Sequence, residues 1–204
     1  MTGARDHVKP GAQLLAPEVG RYQERHPHYD QTFRIASDAI RTTREAGKAE
    51  ICLLVTWKRS AQGSWLGAFL ALDDADVRAW TRHAFEPLWD QSADPVTVAG
   101  EAFARLRHAD IPGFGRTALP SALLCAADPQ RLAVYDRRAQ TALDNLHLRI
   151  DGAHGFYAGY IAVVTQLRHD LADLSGHPIS ARDVDEALYE YGGVPPADTR
   201  RPLS

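Results

Sequence analysis

The stretch ADIPGFGRTALPSALLCAADPQRLAVYDRRAQ, residues 109–140, decides how the rest of the chain is read. A helical pattern ends at Ala109-Asp110 and is broken by Ile111-Pro112-Gly113-Phe114-Gly115. Two glycines one residue apart let a backbone turn tightly and come close to a neighbour. The next helix begins at Arg116-Thr117, so its unpaired N–H groups and the positive end of its dipole face the same turn. That combination suits an anion, and a DNA phosphate is the leading candidate. Arg116 adds a cation at the mouth, while Ile111 and Phe114 are placed to pin the turn to a core. The same residues also read as an ordinary tight turn between two helices.

The second half of the stretch adds a carboxylate. After a nearly all-apolar helix over 117–127 and the turn Asp128-Pro129-Gln130-Arg131, a short extended piece, Leu132-Ala133-Val134, delivers Tyr135 and Asp136. Asp136 precedes a helical pattern, where an aspartate caps the first turn. It can be that cap and nothing more, or it can face a cleft and take part in chemistry.

Together, Ile111-Pro-Gly-Phe-Gly115 and an aspartate 21 positions after Gly115 resemble the helix-hairpin-helix DNA glycosylase superfamily. The resemblance covers about 30 of the 204 residues. It implies an all-α, 8-oxoguanine-glycosylase-like architecture of two helical lobes with a cleft. It implies that Pro112, Gly113, Phe114, Gly115 and the backbone of Arg116 and Thr117 hold a DNA phosphate, with a monovalent cation possible on the hairpin carbonyls and no other cofactor or metal. It also implies that Asp136 is catalytic, stabilising the cationic sugar as the base leaves or activating a water. Bifunctional members carry a lysine two residues beyond the second hairpin glycine, where this chain has Thr117. Its three lysines are Lys9, Lys48 and Lys58, none of them in the hairpin. The expected reaction is therefore hydrolysis of the N-glycosidic bond without lyase cleavage.

A flipped base needs aromatic partners. Trp57, Trp65, Tyr135, Tyr157 and Tyr160 are the candidates, each equally at home in a core. Trp57-Lys58-Arg59 stands out, because an aromatic beside two cations at the end of an apolar run suits a DNA-facing lip.

Outside this stretch the chain reads as short helices. Expected spans are 29–46, 73–88, 96–108, 137–146, 155–175 and a helix opened by the capping pattern at Ser180. Residues 50–58 read as either strand or helix, and 65–72 as a short buried run. Residues 1–20, punctuated by Pro10, Gly11, Pro17 and Gly20, read as a loose arm, 21–193 as the helical domain, and 194–204 as a disordered tail.

Composition sets limits. A formal net charge of −3 is not that of a strongly basic DNA-binding domain, but its distribution is uneven. Residues 1–60 carry 10 Lys and Arg against 7 Asp and Glu, and residues 101–140 carry 6 against 4, while both intervening and final segments are acidic. Cys52 and Cys125 sit in apolar runs and read as buried free thiols, too few for an iron–sulfur cluster or a four-cysteine zinc site. His26 and His28 lack a partner at ligand spacing. No apolar run approaches the roughly 20 residues of a membrane helix. The expectation is a cytoplasmic, nucleoid-associated monomer with DNA as partner. Two further readings stay open: a non-catalytic helix-hairpin-helix DNA-binding protein, and a helical interaction protein without a DNA role.

Overall fold

The computed structural model describes residues 8–59, 63–115 and 118–193. Arg116, Thr117, residues 1–7 and the tail 194–204 lie outside the described residues, and so do the expectations placed on them. The described chain is all-helical: α1 (Val8–Leu15), α2 (Arg21–Arg25), α3 (Gln31–Thr43), α4 (Lys48–Trp57), α5 (Trp65–Leu70), α6 (Asp74–Phe85), α7 (Pro95–His108), α8 (Ala118–Ala127), α9 (Arg137–Asn145), α10 (Phe156–Ser175) and α11 (Ala181–Tyr191). Short 3-10 turns follow α1 and α6. No strand forms among the described residues.

Local chemistry sets the boundaries. Asp73 caps α6 by accepting from the Ala75 N–H at 2.8 Å, and Asp94 caps α7 through Thr97 at 2.9 Å. Ser180 and Asp183 form the reciprocal capping box that opens α11. The ambiguous run at 50–58 is α4. Ile51, Leu54 and Val55 are buried at helical spacing, and Glu50 accepts from the Gly47 N–H at 2.8 Å to close the first turn.

The central layer is α8, with every residue from Leu119 to Ala127 buried. It packs on α3, α4 and α7, while α10 packs on α1, α7 and α11. Nearly all of the buried apolar side chains belong to one contiguous cluster.

Several expectations need correction. Residues 8–18 are not a loose arm. They are α1 and a 3-10 turn, with Ala12 and Leu15 fully buried and α1 packed on α10. Pro10 lies in the first turn of α1, where its missing N–H costs nothing. The run at 65–72 is helical, and of its large side chains Phe69 is fully buried while Leu70 is exposed. Cys125 is buried, but Cys52 is only partly so; both are free thiols. No described helix is long and apolar enough to cross a membrane.

If α1 is part of the core, its buried leucine should matter and its neighbour should not. Leu15→Ala is expected to cost roughly 2–5 kcal/mol. Leu14→Ala, at a side chain 55% exposed, should stay within about 0.5 kcal/mol. Denaturant midpoints of the two variants check this; two equally silent changes would return residues 8–18 to a loose arm.

Candidate functional site

Residues 112–115 form a tight turn after α7. Ile111 and Phe114 are buried, and the Phe114 N–H donates to the Ile111 carbonyl at 3.0 Å. The two glycines differ in kind. Gly113 has a φ of +89°, and a Cβ there would come within 2.3 Å of the Trp65 ring. Both facts demand glycine, so Gly113 and Trp65 lock the turn together. Gly115 meets nothing within 4 Å, so its missing side chain leaves open space. Arg107, in the last turn of α7, donates to the carbonyls of Phe114 (3.2 Å) and Gly115. The guanidinium thus occupies two of the turn's carbonyls.

Asp136 ends an extended segment, 132–136, that is held from both sides. The Tyr157 hydroxyl donates to the Ala133 carbonyl at 2.8 Å and the Tyr160 hydroxyl to the Val134 carbonyl at 3.0 Å. Ser121 of α8 accepts from the Tyr135 N–H at 3.0 Å. Tyr157 and Tyr160 are thus buried supports, not base-pocket walls, which corrects that expectation. Tyr135 turns to Phe156 and Tyr160 and lines a separate hollow with Gln140 and Leu148, so it too is outside the pocket.

Asp136 caps α9. Its Oδ1 accepts from the Arg138 and Ala139 N–H groups at 2.9 and 3.0 Å, and its Oδ2 is ion-paired with Lys58 Nζ. Burial alone would lift this carboxyl, but the Lys58 ammonium and the two N–H groups outweigh it and hold the group below the ordinary carboxylate range.

Asp136 and Lys58 line a cavity of about 410 Å³ together with Trp57, Arg59 and Ala118, the first residue of α8. Its size falls in the range of roughly 300–1,000 Å³ found for small-ligand sites. Of the residues singled out in the sequence, Trp57, Lys58, Arg59 and Asp136 meet here. Pro112, Gly113, Phe114 and Gly115 do not line the cavity; Ala118 is the residue nearest to them in sequence that does.

Sequence reasoning missed the remaining walls: Tyr22, Tyr29, Arg137, Arg138, Arg182, Asp185 and Tyr189. The mouth is cationic and aromatic. The Arg138 guanidinium lies 4.0 Å over the Tyr189 ring and that of Arg59 lies 5.4 Å over Tyr29.

The floor is a buried ionic cluster around Arg182. Its guanidinium meets Asp30 at 2.8 Å, Glu186 at 3.2 Å and Asp185, and lies about 5 Å over the rings of Trp57 and Phe33. Asp30 also accepts from the Tyr22 hydroxyl and the Trp57 Nε1, both at 2.8 Å. A signal for this floor did exist. Arg182, Asp185, Glu186 and Tyr189 fall at helical spacing on one side of α11, where a core face should be apolar.

Comparison with protein-family models, with curated proteins and with solved structures returns no match for this chain.

Burial pushes Asp185 up to about 6 and Glu186 up to about 7, against the opposing pull of Arg182. The folded protein therefore binds protons at both positions more tightly than the unfolded chain. Their contribution to stability is full below the ordinary carboxylate values of 3.8 and 4.5 and is lost as pH rises through about 6 to 7. The melting temperature should fall between about pH 5 and pH 8, and less steeply in Glu186→Gln. A wild-type melting temperature that rises over this interval would contradict the assignment.

Proposed function

We propose that the chain is a DNA glycosylase-like protein that hydrolyses the N-glycosidic bond of a base flipped from DNA, without lyase activity. The observation that carries this reading is the position of Asp136. An ionised carboxylate stands in a base-sized, aromatic and cationic cavity, next to the helix that follows the glycine hairpin. Such a carboxylate faces the positive charge that builds on the sugar as the base departs. Because Asp136 is held below the ordinary range, it suits electrostatic stabilisation better than proton abstraction, which calls for a group near the working pH. Arg59, Arg137 and Arg138 at the mouth suit the DNA backbone, and the open face of Gly115 leaves room for a phosphate at the hairpin. The aromatics at the cavity, Trp57, Tyr22, Tyr29 and Tyr189, are the stacking candidates in place of Tyr135, Tyr157 and Tyr160.

Lys58 bears on the lyase question. It is a lysine at the cavity, ion-paired with Asp136. The reading of hydrolysis without a lyase step rests on Thr117, which stands where bifunctional members carry their lysine.

One observation favours the second reading, a non-catalytic DNA-binding protein. Both Asp136 oxygens already have partners, one in the α9 cap and the other in the Lys58 pair.

A panel of duplex oligonucleotides carrying different lesions, followed by hot-alkali cleavage, tests the activity. Asp136→Asn is expected to abolish base release and leave salt-dependent DNA binding within a few-fold of wild type. Salt-dependent binding with no release from any lesion would favour the second reading, and no salt-dependent binding at all would sink both. Borohydride added during turnover should trap no protein–DNA adduct; an adduct lost in Lys58→Gln would overturn the hydrolytic assignment. Gly115→Leu, at a position open in the free protein, should weaken DNA binding about tenfold or more without lowering the melting temperature. Unchanged binding would remove the hairpin from the interface.

A further inference from the structure

We propose that Asp185 is the proton donor to the departing base, so that the site acts on neutral bases whose departure needs a proton. The inference rests on the glycosylase reading of the cavity.

The argument starts from a charge count. Arg182 is one guanidinium among three carboxyl groups, Asp30, Asp185 and Glu186, whose side chains are 5–7% exposed. If all three were ionised, the cluster would bury two uncompensated negative charges, which a core does not tolerate. The cluster must therefore take up protons. Asp30 is not the place for them, because the Tyr22 hydroxyl, the Trp57 indole and the Arg182 guanidinium all donate to it. The protons belong to Asp185 and Glu186. Of these two, Asp185 lines the cavity that also holds Asp136.

The neighbours of Asp185 reinforce this. Arg182 on α11 and Lys58 after α4 favour its ionised form, while burial and the Asp136 carboxylate oppose it more strongly, leaving it near 6. Glu186 on the same helix, Cys125 of α8 and Tyr157 and Tyr160 of α10 also feel its charge. The cavity thus holds two carboxyls pushed in opposite directions. Asp136 stays ionised beside Lys58, and Asp185 keeps its proton up to about pH 6. Such a divergent pair is the usual arrangement of a stabilising carboxylate and a general acid.

The step balances. The bond from the sugar C1′ to the base nitrogen breaks, and its electron pair leaves with the base. The Asp185 proton passes to a ring nitrogen or carbonyl oxygen of that base. Water adds to C1′ opposite Asp136, and the proton it sheds restores the Asp185 acid through solvent. A base that already carries a positive charge, such as 7-methylguanine, leaves without this proton.

The test compares wild type with Asp185→Asn on duplexes bearing 8-oxoguanine, hypoxanthine, uracil or 7-methylguanine. Asparagine keeps the shape and can still accept from Arg182. For a neutral base, wild-type release should fall as pH rises above about 6. Asp185→Asn should lower that release by about 10²-fold or more and flatten the pH limb. Release of 7-methylguanine should change by less than a few-fold. Equal losses on both classes of base, or release of 7-methylguanine alone by wild type, would overturn the proposal.

Carboxyl carbon NMR on the free protein gives a readout independent of turnover. One carboxyl lost in Asp185→Asn should titrate near 6 and move lower in Asp136→Asn. Base release with an Asp185 that stays ionised down to about pH 4 overturns this inference alone. An Asp185 that titrates as expected, in a protein that releases no base, overturns the glycosylase reading and the donor role with it.

Discussion

Arg182 sits where α11, the residue preceding α3 and the end of α4 converge. Its guanidinium bonds Asp30 and Asp185 and lies against the rings of Phe33 and Trp57. Asp30 in turn holds the Trp57 indole, and Trp57 is followed directly by Lys58, which pairs with Asp136. A single buried cation thereby fixes, through two contacts, where the lysine of the cavity points. Removing one partner of such a buried network typically costs about 3–5 kcal/mol, because the charges left behind have no water to turn to. The aromatic rings around Arg182 lower the cost of holding it there, since a planar, weakly hydrated guanidinium stacks where an ammonium would not.

This arrangement reconciles an acidic chain with a cationic cavity. The net charge is −3, yet Arg59, Arg137 and Arg138 collect at one mouth. Attraction of a polyanion depends on that local field more than on the total, because exposed charges farther than about 8–10 Å away are screened by salt. The carboxylates at the cavity do not cancel the mouth. Asp136 is neutralised by Lys58, and Asp185 shares the proton-bearing cluster under Arg182.

Much of the fold was legible because its signals are local. Asp73, Asp94, Asp136 and Ser180 each cap a helix, and a cap is written in one or two residues. Helix α1 was hidden for the opposite reason. Its sequence carries Pro10 and Gly11, and eight residues form a helix only because Ala12 and Leu15 bury against α10, a partner far away in the chain. The site was half legible. Trp57-Lys58-Arg59 and Asp136 could be singled out by residue type, but their meeting depends on how α4 and α9 pack. Tyr157 and Tyr160 misled because an aromatic with a hydroxyl looks the same whether it faces a ligand or, as here, the carbonyls of an extended segment. The polar side of α11 is present in the letters, but apolar spacing carries no signal for a buried face made of charges.

The hairpin shows how one short motif divides its work. Gly113 is needed by the fold itself, since its backbone angle and the Trp65 ring both refuse a side chain. Gly115 meets neither constraint among the described residues. Arg107 adds to the same logic. By bonding the Phe114 and Gly115 carbonyls it offsets the negative ends of those peptides and ties the turn back to the last turn of α7.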